Sequence, residues 1–190
     1  MISSQVNPKE VTTYGETNGE QGIVHIQESA LRERTFTWED PVKSAELGSK
    51  LSGLEYLQQM VKGEIPTAPI AHTLGFTITS VEKGKVLFEI EPEEYHYNPI
   101  GSMHGGVIST VLDSVLGCTV HSTLAKGVGY TSLELKVSFI RPIFVKTGTV
   151  YAEAKVLAMG RTTAFAEGSL KDKRGRILAT ATTTCALFRP

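Results

Sequence analysis

The chain predicts an α+β fold in which an antiparallel sheet curls around one long central helix, and three observations carry that reading. Runs that alternate apolar and polar residues recur after residue 75, with turn residues between them. One segment, residues 104–124, is instead apolar at helical spacing. The alternating runs follow one another as hairpins, which implies an antiparallel sheet, and the single apolar helix must lie against it.

Taken in order, residues 1–50 read as a largely irregular N-terminal arm, polar and rich in Gly, Asn and Glu. Its apolar patch at Ile23, Val24 and Ile26 suggests a short strand, and Trp38 is expected to anchor the arm to the core. Residues 51–67 form a leading helix and linker. Ser52-Gly53-Leu54-Glu55 has capping-box spacing, Leu54, Leu57 and Val61 mark one face, and Gly63 and Pro66 end it.

Residues 68–190 carry the main domain. Phe76, Ile78 and Ser80, then Val86, Phe88 and Ile90, alternate across Lys83-Gly84 as a hairpin. After the Gly127–Gly129 turn, Leu133, Leu135, Val137 and Phe139 alternate with polar partners in a half-buried strand that stops at Arg141-Pro142. Further strands begin at Val150, after the Met159-Gly160-Arg161 turn, and at Ile177 after Lys173-Arg174-Gly175.

Composition narrows the function classes. Nineteen Lys and Arg against twenty Asp and Glu give a net charge of -1, which argues against a nucleic-acid partner. Cys118 and Cys185 lack ligand or CxxC spacing, so neither a zinc module nor a disulfide framework is expected, and buried free thiols fit a reducing compartment. Residues 1–10 are polar and no run reaches membrane-spanning length, so a cytoplasmic protein without membrane association is the expectation.

Chemistry concentrates around the central helix. Counting 100° per residue from Val107, Ile108, Val111, Leu112, Val115 and Leu116 fall in a broad apolar arc, as expected of a helix wrapped by the sheet. Asp113 falls near about 240°, on a narrow face of small residues with Ser109, Thr110 and Gly117. A partly buried carboxylate is either hydrogen-bonded to a neighbouring element or held as a base or nucleophile.

Gly105 and Gly106 open the helix, where amide donors lack intrahelical partners and the dipole favours negative charge. Asn98, on the preceding loop, offers a side-chain donor or ordinary turn chemistry. His104 is a base or a brace for the loop, and His25, His72, His96 and His121 show no ligand spacing. Gly105 and Asp113 are eight residues apart, about 12 Å along a helix rising ~1.5 Å per residue, so one carbonyl cannot touch both. If they serve one reaction, two antiparallel copies of the helix must meet, giving a homodimer with interfacial sites.

These residues resemble a family. His96-x-Asn98-Pro99-x-Gly101-x-x-His104-Gly105-Gly106, with Asp113 nine residues after the last histidine, is similar to the PaaI-type branch of the hotdog-fold acyl-CoA thioesterases, over residues 68–189. The resemblance implies the hotdog fold, dimers that pair into tetramers, and an acyl-CoA substrate hydrolysed without a metal or other cofactor. It implies that the Gly105 amide and Asn98 polarise the thioester carbonyl. Asp113 then activates water or attacks directly, and Ser132, or Thr131 in its place, orients the water. Arg141 and Arg161 are candidates for the CoA phosphates. A non-catalytic acyl-CoA sensor and a hotdog dehydratase or hydratase, the latter dependent on a catalytic histidine, are the alternatives.

Overall fold

The computed structural model describes residues 14–17, 20–23 and 31–188. The chain divides into two compact units, residues 1–35 and 36–190. In the first, β1 (Tyr14–Thr17) pairs antiparallel with β2 (Glu20–Ile23). His25 and two residues of the expected strand, Val24 and Ile26, lie outside the described residues.

The second unit begins with three short helices. Pro41–Gly48 forms α1, where the sequence reading has irregular chain. Asp40 explains the difference: its side chain accepts from the Val42 N–H at 2.9 Å, and Pro41 takes the first helical position, where its missing N–H is harmless. Trp38 is not buried as an anchor would be; it is 58 % exposed and lies beside Phe36, with ring centroids 5.7 Å apart and planes tilted by 36°. The second helix, α2 (Gly53–Val61), carries the capping box as expected, with Ser52 accepting from Glu55 N–H and Glu55 accepting from Ser52 N–H. A further helix, α3 (Pro69–Leu74), ends on Gly75 at φ +71, a left-handed conformation suited to glycine.

Six strands follow around the central helix. They are β3 (Phe76–Glu82), β4 (Lys85–Ile90), β5 (Gly129–Phe139), β6 (Val150–Met159), β7 (Thr163–Asp172) and β8 (Ile177–Phe188). All neighbouring pairs are antiparallel, in the order β3-β4-β6-β7-β8-β5, so β5 lies at an edge of the sheet. The central helix, α4 (Gly105–His121), lies against the inner face of this sheet, which makes the fold a hotdog.

Small side chains explain how the sheet closes on the helix. Ala152, Ala164, Ala166 and Ala179 are fully buried on the inner face, opposite the fully buried Val111, Leu112, Val115 and Leu116 of α4. At Gly168 an added Cβ would come within 2.8 Å of the Glu153 carbonyl oxygen and 3.4 Å of the Leu116 side chain. The other end of α4 is clamped by α2. Gly53 N–H donates to the Leu124 carbonyl at 3.0 Å, and a Cβ on Gly53 would sit 1.8 Å from the His121 carbonyl oxygen.

One irregularity in β5 bears directly on the site. The pairing with β8 slips between Ser132 and Glu134, a β-bulge that inserts one residue. Before the bulge, Tyr130 and Ser132 point inward; after it, Leu135 and Val137 do. Leu133, expected inside, is therefore 63 % exposed, and Ser132 is turned from the solvent face toward α4.

Candidate active site

The bulge brings Ser132 to Asp113. The Ser132 hydroxyl donates to Asp113 Oδ1 at 2.9 Å, a bond between the edge strand and the middle of α4. Thr131, the alternative hydroxyl, is exposed on the opposite parity of the strand and also borders the cavity beside Asp113. One turn beyond Asp113, Gly117 lets the Tyr130 ring and hydroxyl approach; an added Cβ would meet both at 3.0 Å. The small-residue face of α4 is thus approached within the chain by β5.

That face opens into a cavity of ≈ 420 Å³. Asp113, Ser132 and Gly117 line it together with Tyr56, His121 and Tyr130. Burial raises the Tyr130 hydroxyl well above its ordinary pKa, with the nearby Cys118, Cys185, Asp113 and Tyr56 adding to the shift. Burial also lowers the pKa of His121. The Cys118 thiol is pushed up to about 12 by burial, and by the charge of Asp113, so it stays a thiol at neutral pH.

The loop before α4 is self-supporting. Asn98 Oδ1 accepts from Ile100 N–H at 3.1 Å and Ser102 N–H at 3.2 Å, while its Nδ2 donates to Ser102 Oγ at 3.2 Å. That last bond occupies one of the two side-chain N–H donors. Gly101, at φ +78, completes the turn. Beneath the loop, buried His96 accepts from Glu93 N–H at Nδ1 (2.9 Å), so its proton sits on Nε2, which donates to the Leu74 carbonyl at 2.8 Å. His96 is therefore a structural brace.

His104 caps α4: its Nδ1 accepts from Gly106 N–H at 2.8 Å. A side chain at Gly106 would lie 2.9 Å from that nitrogen, which accounts for the second glycine. The cap leaves the Gly105 N–H, at the first helical position, without an acceptor among the described residues. Gly105 itself packs against Phe139 at the far end of β5, where an added Cβ would be 3.1 Å from the ring.

Within one protomer the candidate residues therefore fall at two places. Asp113 and Ser132 meet near the start of β5, and the Gly105 amide lies near its end, against Phe139, about 12 Å from Asp113 along α4 at ~1.5 Å per residue. The two arginines are divided in the same way. Arg161 lies exposed in the β6–β7 turn, beside the start of β5, whereas Arg141 follows the end of β5 and donates to the Ile177 carbonyl. Among the described residues no three His, Cys, Asp or Glu side chains gather to hold a metal ion.

Comparison with known proteins places the chain in a family. Residues 100–179, from the Asn98 loop through β7, match the thioesterase superfamily model. Human acyl-coenzyme A thioesterase 13 is 30% identical over 126 residues, spanning 65% of this chain and 88% of that protein. The chain belongs to the thioesterase superfamily. A phenylacetic acid degradation-related protein from Ralstonia eutropha superposes with a TM-score of 0.63 at 32% identity, covering 69% of this chain and 98% of that one. The PaaI protein of Escherichia coli, from the phenylacetic acid degradation operon, superposes at 0.62 with 21% identity, over 73% of this chain and 96% of its own, and shows the shared fold. The protein is a hotdog thioester hydrolase of the PaaI type.

Sequence reasoning missed Tyr56, His121 and Tyr130 as parts of the site. The available signal was helical spacing, since Asp113, Gly117 and His121 follow at i, i+4 and i+8 on one face. The two tyrosines come from elements distant in sequence, and only the fold brings them there.

Proposed function

We propose that the protein hydrolyses acyl-CoA thioesters at sites shared between two copies of the chain. The observation that carries this reading is the Ser132–Asp113 pair at the edge of an apolar cavity. Ser132 occupies Oδ1 and leaves Oδ2 to take a proton from water as that water attacks the thioester carbonyl. The negative charge that develops on the carbonyl oxygen is met by the Gly105 amide and by the remaining N–H of Asn98. When the tetrahedral intermediate collapses, the C–S bond breaks and the proton held by Asp113 passes to the departing CoA sulfur.

The edge position of β5 supports the sharing. Two copies of β5 paired antiparallel about a two-fold axis would set the start of one strand against the end of the other. Gly105 of the second copy, packed at the end of its own β5, would then face Asp113. The same operation groups Arg161 of one copy with Arg141 of the other, a cationic pair suited to the CoA phosphates. The reading extends to a dimer of dimers. The free thiols Cys118 and Cys185 fit a reducing compartment, and we place the reaction in the cytoplasm. No described helix is long and apolar enough to cross a membrane.

Mixing tests both halves. Asp113→Asn and a Gly105→Val variant, each refolded alone, should release almost no thiol from acyl-CoA. Refolded together, they should regain activity, because mixed dimers hold one intact site. Full activity of Asp113→Asn would overturn the mechanism, and failure of the mixture to regain activity would overturn the sharing.

A further inference from the structure

We propose that Thr183 is a positioning residue for the reaction: its hydroxyl pins the bulge of β5 that keeps Ser132 turned onto Asp113. The proposal rests on the hydrolase reading for what Ser132 and Asp113 do once held together.

Thr183 is chemically out of place on the inner face of β8. The inward positions on either side of it are Ala181 and Cys185, and its neighbour in register on β7 is Ala166, all of them buried. Thr183 is buried too, and a valine would fill the same outline with no polar atom to satisfy. Ala166 offers its hydroxyl no side-chain acceptor. The hydroxyl instead crosses to β5 and donates to the Glu134 carbonyl at 2.7 Å. A buried donor spent on the main chain of the next strand fixes that strand where it is bound.

The bound point is the bulge. Ser132 pairs with Cys185 and Glu134 with Thr184, so Leu133 is the inserted residue and Glu134 follows it directly. The side-chain pattern of β5 opposes this arrangement. Leu133, Leu135, Val137 and Phe139 alternate without a break, so a regular strand would turn Leu133 inward and Ser132 outward. The bulge leaves Leu133 exposed and sets Ser132 against α4. Apolar burial therefore favours the regular register, and polar contacts must hold the bulged one.

Consecutive residues of β8 supply them. Thr183 bonds the Glu134 carbonyl from the inner side, and Thr184 donates to the Glu134 carboxylate at 3.4 Å from the outer side. Cys185 interacts with the hydroxyls of both Ser132 and Thr183. The Thr183 bond is the shorter of the two to Glu134, and its donor is shielded from water, so it carries most of the constraint. Without it, a one-residue shift of the stretch before Glu134 would carry Ser132 to solvent and leave Asp113 without its hydroxyl.

Substitutions that separate hydroxyl from volume test this, with thiol release from an acyl-CoA as the assay and melting curves as the check on folding. Thr183→Ser keeps the hydroxyl and Thr183→Val keeps the volume. Thr183→Ala, which places at 183 the residue type already present at 179 and 181, keeps neither. The valine and alanine variants should each lower kcat about tenfold, the loss expected of Ser132→Ala, with KM unchanged. The serine variant should stay within about twofold of the native rate. If the valine variant does not fold, the alanine variant carries the comparison. Combined with Ser132→Ala, neither should lower kcat further. Thr182→Val makes the same exchange on the exposed face and should leave the rate unchanged. A rate that follows volume, a loss confined to KM, a loss additive with Ser132→Ala, or an equal loss in Thr182→Val would each overturn the proposal. Amide hydrogen exchange separates it from the hydrolase reading. Exchange at residues 132–135 should quicken in the valine and alanine variants but not in the serine variant, whether or not thioester is turned over. A native chain that hydrolyses no acyl-CoA overturns the hydrolase reading; exchange unchanged in all three variants overturns the pin.

Discussion

Ser132 reaches Asp113 because β5 is bulged, and the 2.9 Å bond between them joins the edge of the sheet to the middle of the helix it encloses. Ser132→Ala should lower kcat about tenfold, and Asp113→Asn by about 10²–10⁴-fold, since the serine orients what the carboxylate performs. In the double variant the losses should not add, because both remove one unit. Steady-state release of free thiol from an acyl-CoA measures all three. Fully additive losses would show that Ser132 acts apart from Asp113.

Gly105 has a different constraint, since Phe139 occupies the space a side chain would need. Gly105→Ala should displace the start of α4 and cut kcat by about 10²-fold, within the range for losing an oxyanion donor, while global stability falls by no more than about 1–2 kcal/mol. Phe139→Leu, introduced second, should return part of the lost rate by making room. Urea unfolding and kinetics on the pair separate the two effects. A rate that stays low with Leu at 139 would locate the damage elsewhere.

Gly53→Ala tests the clamp between α2 and α4. The new Cβ would overlap the His121 carbonyl oxygen, a rigid backbone atom, so α2 must move away. A loss of about 3 kcal/mol is expected, at the upper end of overpacking penalties. Equilibrium denaturation measures it. An unchanged midpoint would mean that α2 contributes little to the stability of the domain.

Acid stability should report on His121. Burial lowers its folded pKa below the unfolded value near ~6.5, so the unfolded chain binds more protons in that range. The contribution is fully present above the unfolded pKa and is lost as pH falls from there through the folded pKa. Melting temperature recorded from pH 8 to pH 5 should fall more steeply for the native chain than for His121→Phe. Parallel curves would refute the assignment.

The fold was largely readable because its signals are local. Alternation across Lys83-Gly84, the Ser52–Glu55 capping box and the apolar arc of 104–124 each sit within a few residues, and the structure bears them out. What escaped depends on contacts or single inserted residues. The bulge after Ser132 is invisible to alternation, which runs on through Leu133 as though unbroken. The short helix α1 hid behind Asp40-Pro41, a pair that serves equally as a breaker and as a helix start. The separation of Asp113 from Gly105 was legible from helix arithmetic alone, whereas the cavity needed residues 56, 121 and 130 brought together in space.

The cavity beside Asp113 is walled in part by Leu57 and Met60 of α2 and Ile70 of α3, and this has a consequence for how such a protein can change. The residues proposed to carry the chemistry lie between Asn98 and Ser132, and much of the cavity wall lies between Tyr56 and Phe88. These are separate stretches of the chain, joined through the clamp at Gly53. Substrate preference can therefore drift, or be grafted from another chain, while the reacting groups stay untouched.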